Sequence, residues 1–128
     1  MSAGYTIVKL DFFGGKNSCI PTAAVTIQKP DGSEVTDTAT SESGVVDAVA
    51  KAIQRALGIS MKLVDFHVSA MDPDFAAQGK VVVQIKHEGV THEGIGISTD
   101  IVVASADAFV DAISKMDAFE ATVVAHTV

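Results

Sequence analysis

The chain has 128 residues, enough for one ordinary domain with a single core and too short for most two-domain enzymes. Hydrophobic residues make up 48% and charged residues 20%, which excludes a disordered chain, and 18 Ala and 18 Val against 5% aromatics predict a core built by close approach of helices and strands. The net charge of −7 sets up an acidic field that opposes docking on phosphate backbones or anionic lipid, so neither nucleic acid nor a membrane is an expected partner.

No stretch approaches 18 uninterrupted apolar residues, and Met1-Ser2-Ala3-Gly4-Tyr5 lacks the basic and apolar regions of a signal peptide. The single cysteine, Cys19, permits no intramolecular disulfide and suits a reducing compartment, so a cytoplasmic protein is expected.

In chain order, Tyr5 to Phe13 is rich in β-branched and aromatic residues and predicts a strand, stopped by Gly14-Gly15 and followed by a loop through Pro21. Ala23 to Gln28 alternates, Pro30-Asp31-Gly32 turns, and Ser33 to Thr40 returns, which reads as a hairpin. Gly44 to Leu57 then carries Val46, Val49, Ile53, Ala56 and Leu57 on one face, with Lys51, Gln54 and Arg55 elsewhere, and predicts an amphipathic helix. Ser43 is its expected N-cap, Asp47 and Arg55 complement the helix dipole in its first and last turns, and Gly58 is the expected C′ residue.

The pattern then recurs. Lys62 to Met71 alternates as a strand, Asp72-Pro73-Asp74 breaks it, Gly79 to Lys86 begins another, and Glu88-Gly89 turns into Val90 to Ser98, where Gly94 and Gly96 predict a bulge or a close backbone contact. Asp100 to Met116 predicts a second helix with Val102, Ala106, Phe109, Ile113 and Met116 as its apolar stripe. The two helices align without gaps from Gly44 on Asp100 to Leu57 on Ile113, with Ala48, Ala52 and Ala56 on Ala104, Ala108 and Ala112. Two βββα units follow, about 5–58 and 61–116, with a tail 117–128 outside the repeat. Two units are too few for a solenoid, which needs roughly three, so the expectation is an α+β fold: one pseudo-symmetric domain layering sheet and helix.

Groups able to carry chemistry are few. Cys19 stands in GGKNSCIP with no nucleophile motif around it. His87 and His92 flank a two-residue turn, which pairs His87 with Val90 and His92 near Ile85, so their rings need not converge. No H-x-H, H-E-x-x-H or C-x-x-C spacing exists. The histidines read as exposed strand residues, Asp72 and Asp74 as a turn, and Asp107 and Asp111 as a solvated helix face. No catalytic residue, metal or cofactor is expected. The two approaches to the helix starts, Ser41-Glu42-Ser43-Gly44 and Gly94 to Asp100, remain: free N–H groups there can receive a carboxylate. Glu42 and Asp100 disfavour phosphate at those starts, whereas a zwitterion finds both N–H donors and an acidic partner for its ammonium.

Gly94 to Ile113 (GIGISTDIVVASADAFVDAI) resembles the G-x-G-x-S-x-D-I-x-x-A-S-x-x-A-x segment in the C-terminal regulatory domain of 2-isopropylmalate synthases and citramalate synthases. Val46-Asp47-Ala48 resembles the V-D-A opening that family's first helix. Leu63-Val64-Asp65-Phe66 resembles L-x-D-Y with Phe in place of Tyr, and Ala76-Ala77-Gln78-Gly79 resembles D-A-x-G. These follow family order over Tyr5 to about Lys115, although Glu42-Ser43-Gly44-Val45 stands where the family has G-N/D-G-P. The resemblance implies two βββα units, a homodimer, and binding of leucine, or of isoleucine in many citramalate synthases, to inhibit a separate catalytic barrel. That barrel, with its acetyl-CoA site, lies outside this chain, which is expected to be the non-catalytic sensing part of a longer acetyl-CoA-condensing transferase of branched-chain amino-acid biosynthesis. Carried over residue by residue, the effector pocket implied is Glu42, Ser43, Gly44, Val45, Asp47, Leu63, Phe66, Val68, Ala70, Ala77 and Gly79. The helix-start N–H groups would take the ligand carboxylate, Glu42 or Asp47 the ammonium, and Leu63, Phe66 and Val68 the aliphatic side chain. A dimerisation module without a ligand is the alternative.

Overall fold

A computed structural model describes residues 4–15, 20–70 and 78–127, with 123–127 described by backbone alone. The elements are β1 (Thr6–Phe13), β2 (Thr22–Gln28), β3 (Glu34–Thr40), α1 (Val45–Leu57), β4 (Lys62–Ala70), β5 (Gly79–His87), β6 (Val90–Ser98) and α2 (Ile101–Thr127). The strands form two antiparallel sheets, ordered β1-β2-β3 and β4-β5-β6. Helix α1 covers β2 and β3, α2 covers β5 and β6, and the two helices also touch each other. The result is an α+β fold of two βββα units around one shared core.

The repeat extends into the irregularities. In β1, pairing runs from Ile7↔Ile27 to Lys9↔Thr26 and leaves Val8 as a bulge; in β4 it runs from Leu63↔Ile85 to Asp65↔Gln84 and leaves Val64 as one. Both bulged valines point outward, half exposed. The bulges therefore sit in β1 and β4. At Gly94 and Gly96 the β5–β6 register is unbroken, and the expected close contact is what the glycines provide. A Cβ on Gly94 would lie 2.5 Å from Ala112 N and nearer still to Ala108 O, and one on Gly96 would lie 2.7 Å from Ala108 N and nearer still to Ala104 O. The alanines at four-residue spacing are thus the face that seats α2 on the sheet. The strand alignment that places Leu10 on Phe66 carries Val25 onto Val83 and Asp37 onto Gly94. In the first unit that position holds a carboxylate, ion-paired with Arg55 of α1 at 3.6 Å, instead of a backbone contact.

The core joins Ala23, Val25 and Ile27 of β2, Ala48, Val49, Ala52 and Ile53 of α1, Val81, Val83 and Ile85 of β5, and Ala104, Ala108, Phe109, Ala112 and Ile113 of α2, all at most 1% exposed. Phe109 is its largest member, so small residues around one aromatic fill the space, as the composition implied.

Three expectations about the helices need correction. Gly44, not Ser43, is the N-cap of α1, with φ +123° and no side-chain cap bond, because the Ser41 hydroxyl already receives Ser43 N–H (3.1 Å) and bonds to Asp47 (2.5 Å). At the other end Gly58 takes the left-handed conformation (φ +65°) and closes on Gln54 O, as the sequence indicated. Helix α2 does not stop at Met116 but runs to Thr127, so the tail is its continuation. No Gly or Pro interrupts residues 117–127, and two contacts hold the extension: Phe119 meets the His92 ring edge-on at 5.4 Å, and Glu120 reaches His87 at 3.1 Å. Nor are the strand histidines all exposed, since these same contacts cover His92, 8% exposed, and half-bury His87; only His67 is open. Likewise Asp107 is half-buried, and Asp111 accepts Ile95 N–H (2.9 Å) and pairs with Lys115 (3.2 Å), so this is a used helix face.

Candidate functional site

Because α1 covers β2 and β3 while α2 covers β5 and β6, the inward face of β4 is left without a helix over it. A cleft of about 500 Å³ opens there between α1 and β4. Helix α1 contributes Val46, Asp47, Ala50, Lys51 and Gln54 on successive turns, with Ser43 preceding them; the other side is Met61, Lys62, Leu63 and Phe66, and Phe109 closes it from the core. Met61 N–H donates to Gln54 Oε1 (3.1 Å), fixing the start of β4 against the helix.

One end of the chemistry is backbone. Gly44 supplies no side chain to the first turn of α1, and the N–H groups of Val45, Val46 and Asp47 have no partner among the described residues. The positive end of the helix dipole adds to these donors. In α2 the aligned position is Asp100, whose carboxylate accepts Val102 N–H at 2.8 Å and Val103 N–H at 3.4 Å. The same place in the repeat is therefore open in one helix and filled in the other.

Asp47 is the carboxylate of the cleft. The Ser41 hydroxyl, and then the Lys51 ammonium 3.1 Å away, hold its carboxyl below the usual range. Around this pair the wall is apolar, with Leu63 43% exposed although it sits on the inward face of its strand. Free N–H donors, an ionised carboxylate and uncovered aliphatic surface make the cleft suited to a small molecule with an acidic group and an apolar body.

Of the residues expected to share a site, the structure brings Ser43, Asp47, Leu63 and Phe66 into this lining. Glu42 is exposed beside it and Gly44 caps the helix. Val45 turns toward Gly14 and Pro21, while Val68 and Ala70 lie exposed further along β4 and Gly79 is buried against Ile101. Ala77 lies outside the described residues, as do Cys19, Asp72 and Asp74. Sequence reasoning missed Val46, Ala50, Lys51, Gln54, Met61, Lys62 and Phe109. Ala50 and Lys51 follow from Asp47 by i+3 and i+4 spacing, and Val46 and Gln54 lie four residues either side of Ala50, whereas Phe109 arrives from the other helix without any local signal.

A pseudo-equivalent cleft of about 650 Å³ lies between α2 and β1, where Tyr5, Thr6 and Ile7 take the places of Met61, Lys62 and Leu63. Tyr5 N–H donates there to Ser114 Oγ (2.9 Å). Of its three acidic groups, Asp107, Asp111 and Asp117, the first has a carboxyl pushed up by burial and the second is paired with Lys115, and the start of α2 is filled by Asp100.

The family description "LeuA allosteric (dimerisation) domain" matches residues 3–116. The chain belongs to this family. It is 40% identical over 96 residues to a 2-isopropylmalate synthase of Crocosphaera subtropica and 42% identical over 96 residues to one of Trichodesmium erythraeum, in each case over 75% of this chain and 18% of the relative. A 2-isopropylmalate synthase of Pyrococcus furiosus is 38% identical over 112 residues, 88% of this chain and 22% of its own length. The chain thus spans about a fifth of the curated relatives it matches, and the matched stretch of the LeuA domain contains both βββα units and the whole lining of the cleft between α1 and β4.

Proposed function

We propose that this LeuA domain is the non-catalytic, amino-acid-sensing and dimerising part of a 2-isopropylmalate synthase-like enzyme, with leucine as the feedback effector. The observation that carries the reading is the cleft between α1 and β4. The uncapped N–H groups of Val45, Val46 and Asp47 suit the effector carboxylate, Asp47 suits its ammonium, and Leu63, Phe66 and Met61 suit a branched aliphatic side chain. Glu42 is the second candidate for the ammonium. An effector acts on the catalytic part only through different affinity for two states of the assembly, so the site has to change with that assembly.

Dimerisation is supported by β4. It is an edge strand, and Leu63, Val64 and Val68 expose 43%, 52% and 43% of their surface on its two faces. Paired edges and covered apolar faces are the usual outcome for such a strand. A second copy over β4 would also close the open side of the cleft and bring Val68 and Ala70 to it. Condensation of acetyl-CoA with a 2-keto acid then belongs to a catalytic part outside this chain, in the cytoplasm. Among the described residues no helix is long and apolar enough to cross a membrane.

Calorimetry with L-leucine, L-isoleucine and L-valine, alongside sedimentation of the free and liganded chain, tests this. A dimer with one saturable site per chain is expected. Absence of heat and of a melting shift at millimolar concentration of all three would sink the effector reading. A response to isoleucine instead of leucine would assign a citramalate synthase-type sensor. One observation favours a dimerisation module without ligand: Lys51 already occupies Asp47. A dimer that ignores all three amino acids would support it.

A further inference from the structure

Away from the cleft, three side chains converge at the hairpin end of the second sheet. His87 closes β5, Glu88 follows in the turn, and Glu120 projects from the sixth turn of α2. His87 Nε2 lies 3.1 Å from Glu120 Oε1 and 3.8 Å from Glu88 Oε1, and one donor atom from each of the three falls within 4.8 Å of the others. The other ring nitrogen, Nδ1, is 2.7 Å from Ser60 O. A carbonyl only accepts, so Nδ1 carries a proton and Nε2 is the nitrogen turned to the two carboxylates. A backbone carbonyl behind the imidazole is the outer partner that orients metal-ligating histidines.

We propose that His87, Glu88 and Glu120 form a binding site for a divalent transition-metal ion of the zinc type, which fastens the extension of α2 to the β5–β6 hairpin. Three features carry the assignment. First, the spacing is within reach: a tetrahedral ion with bonds of about 2.0–2.1 Å has edges of about 3.4 Å, and the two separations from His87, 3.1 and 3.8 Å, bracket that value. The two carboxylates lie within 4.8 Å of each other, a gap the exposed Glu88 side chain can close. Second, the charge is unbalanced, because no Lys or Arg pairs with Glu88 or Glu120 among the described residues. A proton on Nε2 would satisfy one carboxylate; an ion of charge +2 satisfies both while using the neutral imidazole as a ligand. Third, the access is right. The His87 side chain is 18% exposed while Glu88 is 80% exposed, so the nitrogen is held rigidly and the carboxylate side is open to water, leaving a fourth position for solvent.

Glu88 is also the one non-glycine among the described residues with a positive φ, +50°. Asn or Gly fills that first position of a tight hairpin turn with less strain, so Glu is there for its carboxylate. The spacing of the three ligands, two adjacent in sequence and the third on a distant helix, follows no local metal motif, and the site forms only because α2 continues beyond the repeat.

The test uses the purified chain after chelation and dialysis, titrated with ZnCl2 by calorimetry and with CoCl2 by visible absorption. One zinc per chain is expected, with cobalt giving the intense absorption of four-coordinate geometry, a melting temperature that rises with zinc, and affinity at least about tenfold weaker in Glu120→Gln and in Glu88→Gln. Glu88 lies on an exposed turn, so E88Q retains the fold and keeps the comparison interpretable if E120Q does not. Absence of saturable binding at millimolar zinc would overturn the proposal, as would zinc binding that neither substitution weakens. A cluster stabilised by acid and indifferent to zinc would overturn it in favour of a His87 imidazolium.

Discussion

Replacing Gly96 by alanine tests the way the second helix is seated. The added Cβ would meet backbone alone: Ala108 N at 2.7 Å, with Ala104 O nearer still. Neither atom belongs to a side chain that can rotate away, so α2 has to withdraw from β6 by about an ångström before contacts become ordinary. Withdrawal loosens Ala104, Ala108, Phe109 and Ala112, all fully buried. Overpacking of this kind costs typically 1–3 kcal/mol, and an obstruction made entirely of backbone places Gly96→Ala at about 3 kcal/mol. With an unfolding entropy of about 2.1 cal/mol/K per residue, 128 residues convert that into a fall in Tm of about 11 °C. The backbone φ of Gly96 is not in the left-handed region, so the entropy effect of Gly→Ala acts in the opposite, stabilising direction by about 0.4–1 kcal/mol. Differential scanning calorimetry should be run beside Gly32→Ala, where the Cβ meets nothing within 4 Å and only φ +89° is strained. If Gly96→Ala melts no lower than Gly32→Ala, the close approach of α2 to β6 is wrong.

Asp100→Ala removes the acceptor of Val102 and Val103 N–H and should cost about 1 kcal/mol by chemical denaturation, with no effect on the proposed amino-acid site between α1 and β4. Burial raises the Asp107 carboxyl above the ordinary 3.8, so the native state keeps this proton to higher pH and stability falls as pH rises from 3.8 through the raised value. Asp107→Asn should therefore stabilise the protein at pH 7 and be neutral below pH 3.8, as read from melts across pH. Lys51→Ala removes an exposed ion pair and should change stability by less than about 1 kcal/mol, while freeing Asp47 and tightening leucine binding several-fold. Weaker binding would show instead that Lys51 holds the ligand carboxylate.

The repeat was legible because duplication leaves a copy for comparison. Alanines at four-residue spacing and Gly94 and Gly96 each suggested close packing, and only together do they name the contact, since one set forms the face that the other admits. The cleft was half legible. Ser43, Asp47, Leu63 and Phe66 lie on segments whose family order is visible in sequence, but Phe109 reaches the cleft through packing of α2 against α1, a contact between residues more than fifty positions apart. The extension of α2 was hidden for a related reason. Residues 117–122 have no counterpart in the first unit, and what keeps them helical is His87 and His92, which read as ordinary strand residues until α2 is laid across them.

Duplication also accounts for why the two clefts are not the same kind of site. The alignment places Gly44 on Asp100 and Lys51 on Asp107. At the first position the change fills one helix start with its own carboxylate and leaves the other's donors open; at the second it replaces a cation paired with Asp47 by a half-buried acid. The cleft between α2 and β1 therefore has no free helix start, and its ion pair, Asp111 with Lys115, stands away from any open backbone N–H donors of the kind that Asp47 has beside it. Its Tyr5 N–H is joined to α2 through Ser114, and β1 is covered where β4 is not. A chain with equivalent open faces over β1 and β4 would polymerise as readily as dimerise, because each copy would offer two matching surfaces. Under the proposed dimer, divergence that covers β1 and leaves the face of β4 open favours an isologous contact over β4, beside the cleft whose helix start is free.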